Sequence, residues 1–202
     1  MMKRLKTIFL SLLCLFVLAL GGLFFMDRMK VDNLYRHGFQ LYEEQIATYL
    51  KEHYSGISKI EFSPIFKSGG KGEGFVYARI VPVVYDTYGN KVYLRNDGVL
   101  KMGVADYEMT AGIDLDFNVN DGSEIIYLRN NQKESISVES YQNLPDELKL
   151  NKDEITDEVM TAFAREGHLK GVEKNSQGSP KAEIIYNLEI RRVQGREFYE
   201  WK

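Results

Sequence analysis

The stretch closest to a chemical site is Asp114-Leu115-Asp116-Phe117-Asn118-Val119-Asn120, where oxygen-bearing side chains stand at every second position. Such spacing suggests a calcium loop. An EF-hand loop, however, needs glycine at its sixth position and a bidentate glutamate at its twelfth. Counted from Asp114, those positions hold Val119 and Ile125. The alternation fits a strand better, with Ile113, Leu115, Phe117 and Val119 inward and the acids outward. The 3 histidines, His37, His53 and His168, show no ligand spacing. Even if His37 and His53 share a helix, they lie about 24 Å apart along it. Covalent catalysis needs a nucleophile beside a base, and acid–base work needs carboxylates in unlike environments. The chain has no Gly-x-Ser-x-Gly, no His-Glu-x-x-His and no cysteine beyond Cys14. The glycine-rich run at 68–74 does not follow a strand and open a helix, as a phosphate loop must. The expectation is a protein that is not an enzyme, with no cofactor and no metal.

What remains is a surface. If Val76, Ala78, Ile80 and Val84 face inward from a central strand, the opposite side shows Tyr77, Arg79, Val81, Val83 and Tyr85. Neighbouring strands would add Tyr93, Arg95, Asp106, Glu108, Asp114, Asp116, Asn118, Asn187, Glu189 and Arg191. Tyrosine and arginine ringed by acids is the composition of a protein-binding face. A solvated sheet face, or one covered by a helix, has the same composition, and both readings stay open.

These residues need elements to position them. From 31 to 53, Leu34, Tyr35, Phe39, Tyr42, Ile46, Tyr49, Leu50 and His53 recur at helical spacing, with Glu43, Glu44 and Lys51 on the other side. Tyr54-Ser55-Gly56 ends that helix. The period then changes to two. Ile60, Phe62 and Phe66 mark a strand that Pro64 interrupts, which suggests an edge position. A strand over 75–85 and its return over 91–95 form a hairpin around Asp86-Thr87-Tyr88-Gly89-Asn90. Asn96-Asp97-Gly98 is a turn, and strands follow at 104–109, 113–119 and 125–128, with Asn120-Asp121-Gly122 turning between the last two. Residues 131–149 read as polar and irregular. A second helix begins near Asn151, a candidate cap, carries Ile155, Val159, Met160 and Phe163 inward, and stops near Gly167. A final strand over 182–192 follows Gly178-Ser179-Pro180. The expected class is α+β: an N-terminal transmembrane helix, then one domain with an antiparallel sheet and two flanking helices.

The first thirty residues set the compartment. Lys3, Arg4 and Lys6 precede an uncharged run over 7–26 that spans about 30 Å as a helix, the thickness of a bilayer's hydrocarbon core. Ala19-Leu20-Gly21 offers a signal-peptidase site, but apolar sequence continues to Met26, and length favours retention. Leu13 before Cys14 is too large for a lipoprotein signal, so Cys14 reads as an apolar side chain within the span. The basic residues before the span place the N-terminus in the cytoplasm. The expected division is a cytoplasmic tail at 1–6, an anchor at 7–26 and an extracytoplasmic domain at 27–202, joined by a short link. With 26 basic and 29 acidic residues the net charge is −3, and setting aside Lys3, Arg4 and Lys6 leaves −6. An acidic domain is repelled by nucleic acid and anionic lipid.

Several stretches resemble the TipC family of immunity proteins from streptococci and relatives. They are Gly56-Ile57-Ser58-Lys59-Ile60-Glu61-Phe62-Ser63-Pro64-Ile65-Phe66, and Val81-Pro82-Val83-Val84-Tyr85-Asp86 with Lys91-Val92-Tyr93-Leu94. Leu144-Pro145-Asp146-Glu147, Lys170-Gly171-Val172-Glu173-Lys174 and Tyr186-Asn187-Leu188-Glu189-Ile190 fit as well. The resemblance implies a membrane-anchored protein that neutralises, by stoichiometric binding, a secreted toxin of the TelC type. Such a toxin leaves through a type VII secretion system and attacks the cell-wall precursor lipid II. The resemblance transfers no contact residues. A tethered small-ligand or lipid-binding sensor is the alternative reading. It predicts a cavity lined by Tyr77, Tyr85 and Tyr93.

Overall fold

The computed structural model describes residues 2–69, 77–94, 113–130 and 134–193, with the side chains of 2–8, 10, 11 and 77 left aside. The expected turn at 96–98 and strand at 104–109 lie outside the described residues, as do Arg95, Asp106 and Glu108. In chain order the elements are α1 (Met2–His53), β1 (Tyr54–Ser55), β2 (Ile57–Phe62), β3 (Ile65–Ser68), β4 (Tyr77–Arg79), β5 (Pro82–Asp86) and β6 (Lys91–Tyr93). There follow β7 (Ile113–Phe117), β8 (Glu124–Arg129), β9 (Ser135–Ser137), α2 (Glu154–Arg165), β10 (Glu173–Lys174), β11 (Glu183–Ile185) and β12 (Ile190–Arg192).

The chain is α+β, with a long apolar N-terminal helix and several sheets instead of one. α1 runs 52 residues without a break, about 78 Å. The expected link after Met26 is therefore absent, because residues 27–30 favour helix as much as their neighbours do. The two halves of α1 differ completely in surroundings. Phe9, Leu12, Phe16, Leu20, Phe24 and Met29 are all exposed, and this half is long and apolar enough to cross a membrane. From Tyr35 to Leu50 most of the helix is buried, leaving less covered only a line at Arg36, Gln40, Glu44 and Thr48, with His37 beside it. Glu43, expected on a solvent face, is completely buried.

Sheets enclose α1 and do not merely lie against it. On one side, β7, β8 and β9 form an antiparallel sheet whose Ile126 and Leu128 pack on the helix. Gly38 allows the approach, since a Cβ there would meet Ile126 Cγ2 at 2.9 Å. On the other side, β11–β2–β5–β6 and β12–β3–β4 continue one another. β11 and β12 join β2 and β3 in parallel, which makes this assembly mixed, not antiparallel. Those parallel pairs also move the Pro64 strand from the expected edge to the interior. Pro64 is tolerated there because it sits in a bulge. Between Phe62↔Pro82 and Phe66↔Arg79 one strand gains a residue on its partner. The Ser63 Oγ accepts from Val81 N–H at 2.7 Å and repairs the ladder. The bulge shifts the inward register, so Ile60 and Phe62 before it and Ile65 after it all belong to the core.

Other differences have local causes. The 131–149 region contains β9 and the one-turn helices Val138–Ser140 and Asp146–Leu148. His37 helps anchor it, its Nε2 lying 2.6 Å from Tyr141 O. The cap of α2 is Asp153, not Asn151; its carboxylate accepts from Ile155 and Thr156 N–H. That shift turns Thr156 inward and leaves Ile155 42% exposed. Phe117 and Val119, expected inward, are exposed because the β7–β8 hairpin outruns the core. The final strand divides into β11 and β12 around Asn187, whose N–H donates to Glu43 at 3.1 Å.

Candidate protein-binding face

The register of β11–β2–β5–β6 builds the site from rows of paired residues. Glu183, Lys59, Tyr85 and Lys91 are neighbours across four strands, and Ile185, Glu61, Val83 and Tyr93 form the next row. Period-two alternation sends Ile60, Val84, Val92 and Ile184 to the α1 side, so these two rows occupy the outer face. Tyr85 and its neighbours are held by direct contacts. The Tyr85 hydroxyl donates to Glu61 Oε2 at 2.7 Å, Lys59 Nζ pairs with the same oxygen at 3.2 Å, and Lys59 Nζ sits 3.9 Å above the Tyr85 ring. Lys91 Nζ lies 4.9 Å from the Tyr93 ring centroid. Partial burial pushes the Glu61 carboxyl up, but the Tyr85 and Lys59 bonds outweigh it and hold the group below the usual carboxylate range. The strip is thus preorganised: its aromatic rings are already fixed by cations before any partner arrives.

The expected site residues do not form one face. Tyr85 and Tyr93 belong to the strip. Arg79 lies further along the same sheet, paired with Phe66, which is flanked in turn by Arg191. Tyr77 pairs with Ser68 at the end of that sheet. Arg191 pairs with Glu189 at 3.0 Å on exposed surface. Between these groups Phe66, Val81 and Val83 are buried, so the expected open face is closed at its middle. Apolar residues on both sides of a strand are the mark of burial on both sides. Asn187 turns its N–H to Glu43 instead of presenting it to a partner. Asp114, Asp116 and Asn118 belong to the other sheet assembly or its hairpin turn. Asp114 is ion-paired with Arg129, and Asn118 closes the turn by accepting from Asn120 N–H at 2.9 Å. Because both assemblies turn their apolar faces to α1, their polar faces point away from one another.

Comparison with family models, with curated proteins and with solved structures finds no match. The face therefore has to be read from its own geometry. Sequence reasoning missed Lys59, Glu61, Lys91, Glu183 and Ile185. The signal for the first two was present: they alternate with Ile60 and Phe62. Lys91 follows from the hairpin, since a turn after Asp86 puts it opposite Tyr85. Glu183 and Ile185 needed the parallel pairing, which no local pattern encodes. Among the described residues no group of three His, Cys, Asp or Glu side chains is placed to hold a metal ion.

Proposed function

We propose that this chain is a membrane-anchored, extracytoplasmic immunity protein that binds and neutralises a cognate secreted antibacterial toxin without catalysis. The observation that carries the reading is the placement of the Tyr85–Tyr93 strip. It sits on the outer face of a sheet folded around the same helix that supplies the apolar N-terminal half. Counting along β2 and α1, the strip stands roughly 35 Å from the end of the apolar run at Met26. A domain held there meets a toxin arriving from outside before the toxin reaches lipid-linked substrate, and tethering raises its local concentration. The resemblance to TipC-type immunity proteins supports the same reading. The sensor alternative would need a cavity behind Tyr85 and Tyr93. Tyr85 and Tyr93 instead lie on the side away from α1, and the α1 side is filled by Ile46, Leu50, Ile60 and Val84.

The test is protection of sensitive cells challenged from outside with the toxin encoded beside this gene. The parent chain should protect. Tyr85→Ala with Tyr93→Ala should weaken toxin binding by about 30-fold or more, the loss of about 2 kcal/mol expected of a central aromatic anchor. Asp114→Lys with Asp116→Lys, on the opposite assembly, should leave protection intact. Full protection by the double alanine variant and loss with the lysine variant would move the contact to β7–β8. No protection by the parent chain would end the proposal.

A further inference from the structure

The β7–β8 hairpin runs alongside α1 in a way that fixes the height of its tip. Successive contacts match the two elements step by step. Lys67 Nζ lies 3.4 Å above the Tyr35 ring and 3.3 Å from Glu124 Oε2, which ties Glu124 to the level of Tyr35. Ile126 lies against Gly38, and Arg129 O accepts from Gln45 Nε2 at 2.9 Å. β8 is therefore parallel to α1, and everything before Glu124 extends toward the apolar end of the helix. Glu124 pairs with Phe117, and Asn118 N–H donates to Ser123 O at 2.8 Å, so the turn at 119–122 projects beyond that level.

Rises per residue convert this into a distance. Met26 lies nine residues before Tyr35, about 13 Å along the axis. The hairpin descends about 7–10 Å below Glu124. That leaves the tip about 5 Å above the end of the apolar run, within a headgroup layer roughly 5–7 Å deep on each leaflet. The residue at the tip is Val119, 97% exposed, with Phe117 two positions back at the end of β7 and 48% exposed. A single exposed valine means little by itself. One placed at the depth where water gives way to lipid is another matter. Two of the tip's side-chain oxygens are engaged within the turn: Asp121 Oδ1 accepts from Ser123 N–H at 2.9 Å and Asn118 Oδ1 from Asn120 N–H.

We propose that the tip of the β7–β8 hairpin, led by Val119, is a second membrane contact, seated in the headgroup layer of the bilayer that α1 crosses. This rests on the reading of residues 7–26 as a membrane span. With α1 it makes a two-point footing that fixes how the domain is rotated about the helix axis. The Lys67–Glu124–Tyr35 cluster is the brace that holds the hairpin base at its height. Because Asp116 and Asp121 flank the tip, the contact is apolar in origin and does not depend on anionic lipid.

The test is site-directed spin labelling of the full chain in phosphatidylcholine bilayers, reading accessibility to oxygen against a water-soluble nickel chelate. Native Cys14 reports the span itself. Val119→Cys in a Cys14→Ala background reports the tip, and Tyr88→Cys in the same background reports an exposed turn at the far end. The expected result is a label at 119 with an oxygen-to-nickel ratio several-fold above that at 88 and below that at 14. A label at 14 shielded from nickel, with 119 matching 88, overturns the hairpin contact and leaves the span intact. A nickel-accessible label at 14 overturns both.

Discussion

Glu43 is a carboxylate that the sequence placed on a solvated helix face and the fold places in the core. It is completely buried, receives one hydrogen bond from Asn187 N–H, and its Oε1 has no hydrogen-bond partner among the described residues. Burial pushes its carboxyl up to about 8, only partly offset by the Asn187 bond. The sign of the consequence follows from linkage. The unfolded chain releases this proton near 4.5 and the folded chain holds it to about 8. Its favourable contribution is thus complete below 4.5, falls as pH rises through that window, and is exhausted above 8. The full span of the effect is on the order of a few kcal/mol. Glu43→Gln, which is neutral at every pH, should flatten the decline in stability between pH 5 and pH 8. Urea unfolding of the full chain in detergent at both pH values reads this directly. Equal slopes in parent and variant would show that Glu43 ionises freely.

At the scale of elements, one carboxylate links α2 to three of its neighbours. Asp157 Oδ1 accepts from Tyr49 Oη at 2.7 Å and Tyr54 Oη at 2.6 Å, while Oδ2 pairs with Lys174. These bonds tie α2 to the end of α1, to β1 and to β10. Burial raises the Asp157 carboxyl, yet the Lys174 and tyrosine bonds prevail and hold it below its ordinary value. Asp157→Ala leaves two buried hydroxyls without their acceptor and should cost about 2–4 kcal/mol. Amide exchange should rise first in α2, with β8 and the α1 core protected. Uniform loss of protection would mean that α2 is not a separable unit. The elements also explain which sequence signals misled. Pro64 pointed to an edge strand, but the Ser63 hydroxyl repairs the bulge and allows an interior position. Glu43 pointed to a solvated helix face, but a second sheet covers it.

At the scale of the whole molecule, one helix does two jobs. Among the described residues its first half is exposed and touches nothing in the folded domain, and its second half is the centre of the core. Because α1 has no break, the domain has no hinge where it meets the apolar half. Deleting residues 2–26 should therefore release a folded domain whose unfolding free energy matches that of the full chain within about 0.5 kcal/mol, the scatter of changes that touch no contact. Fractionation followed by thermal unfolding checks it. A domain that aggregates or melts early would show that the apolar half supports the fold.

By itself the sequence determined what is set by local pattern. It carried the uncharged N-terminal run, the helical stripe ending at Gly56, the turn around Gly89 and the hairpin at Gly122, because apolar spacing and glycine conformation act over a few residues. Tyr85 and Tyr93 were legible as members of one face for the same reason. Only the tertiary structure decided that sheets would close around α1, that β11 and β12 would insert in parallel, and that Asp114 and Asp116 would stand on the far side from the tyrosines. Those outcomes depend on contacts between segments more than eighty residues apart. Hydrogen bonding and burial choose such pairings among many that the local pattern permits equally.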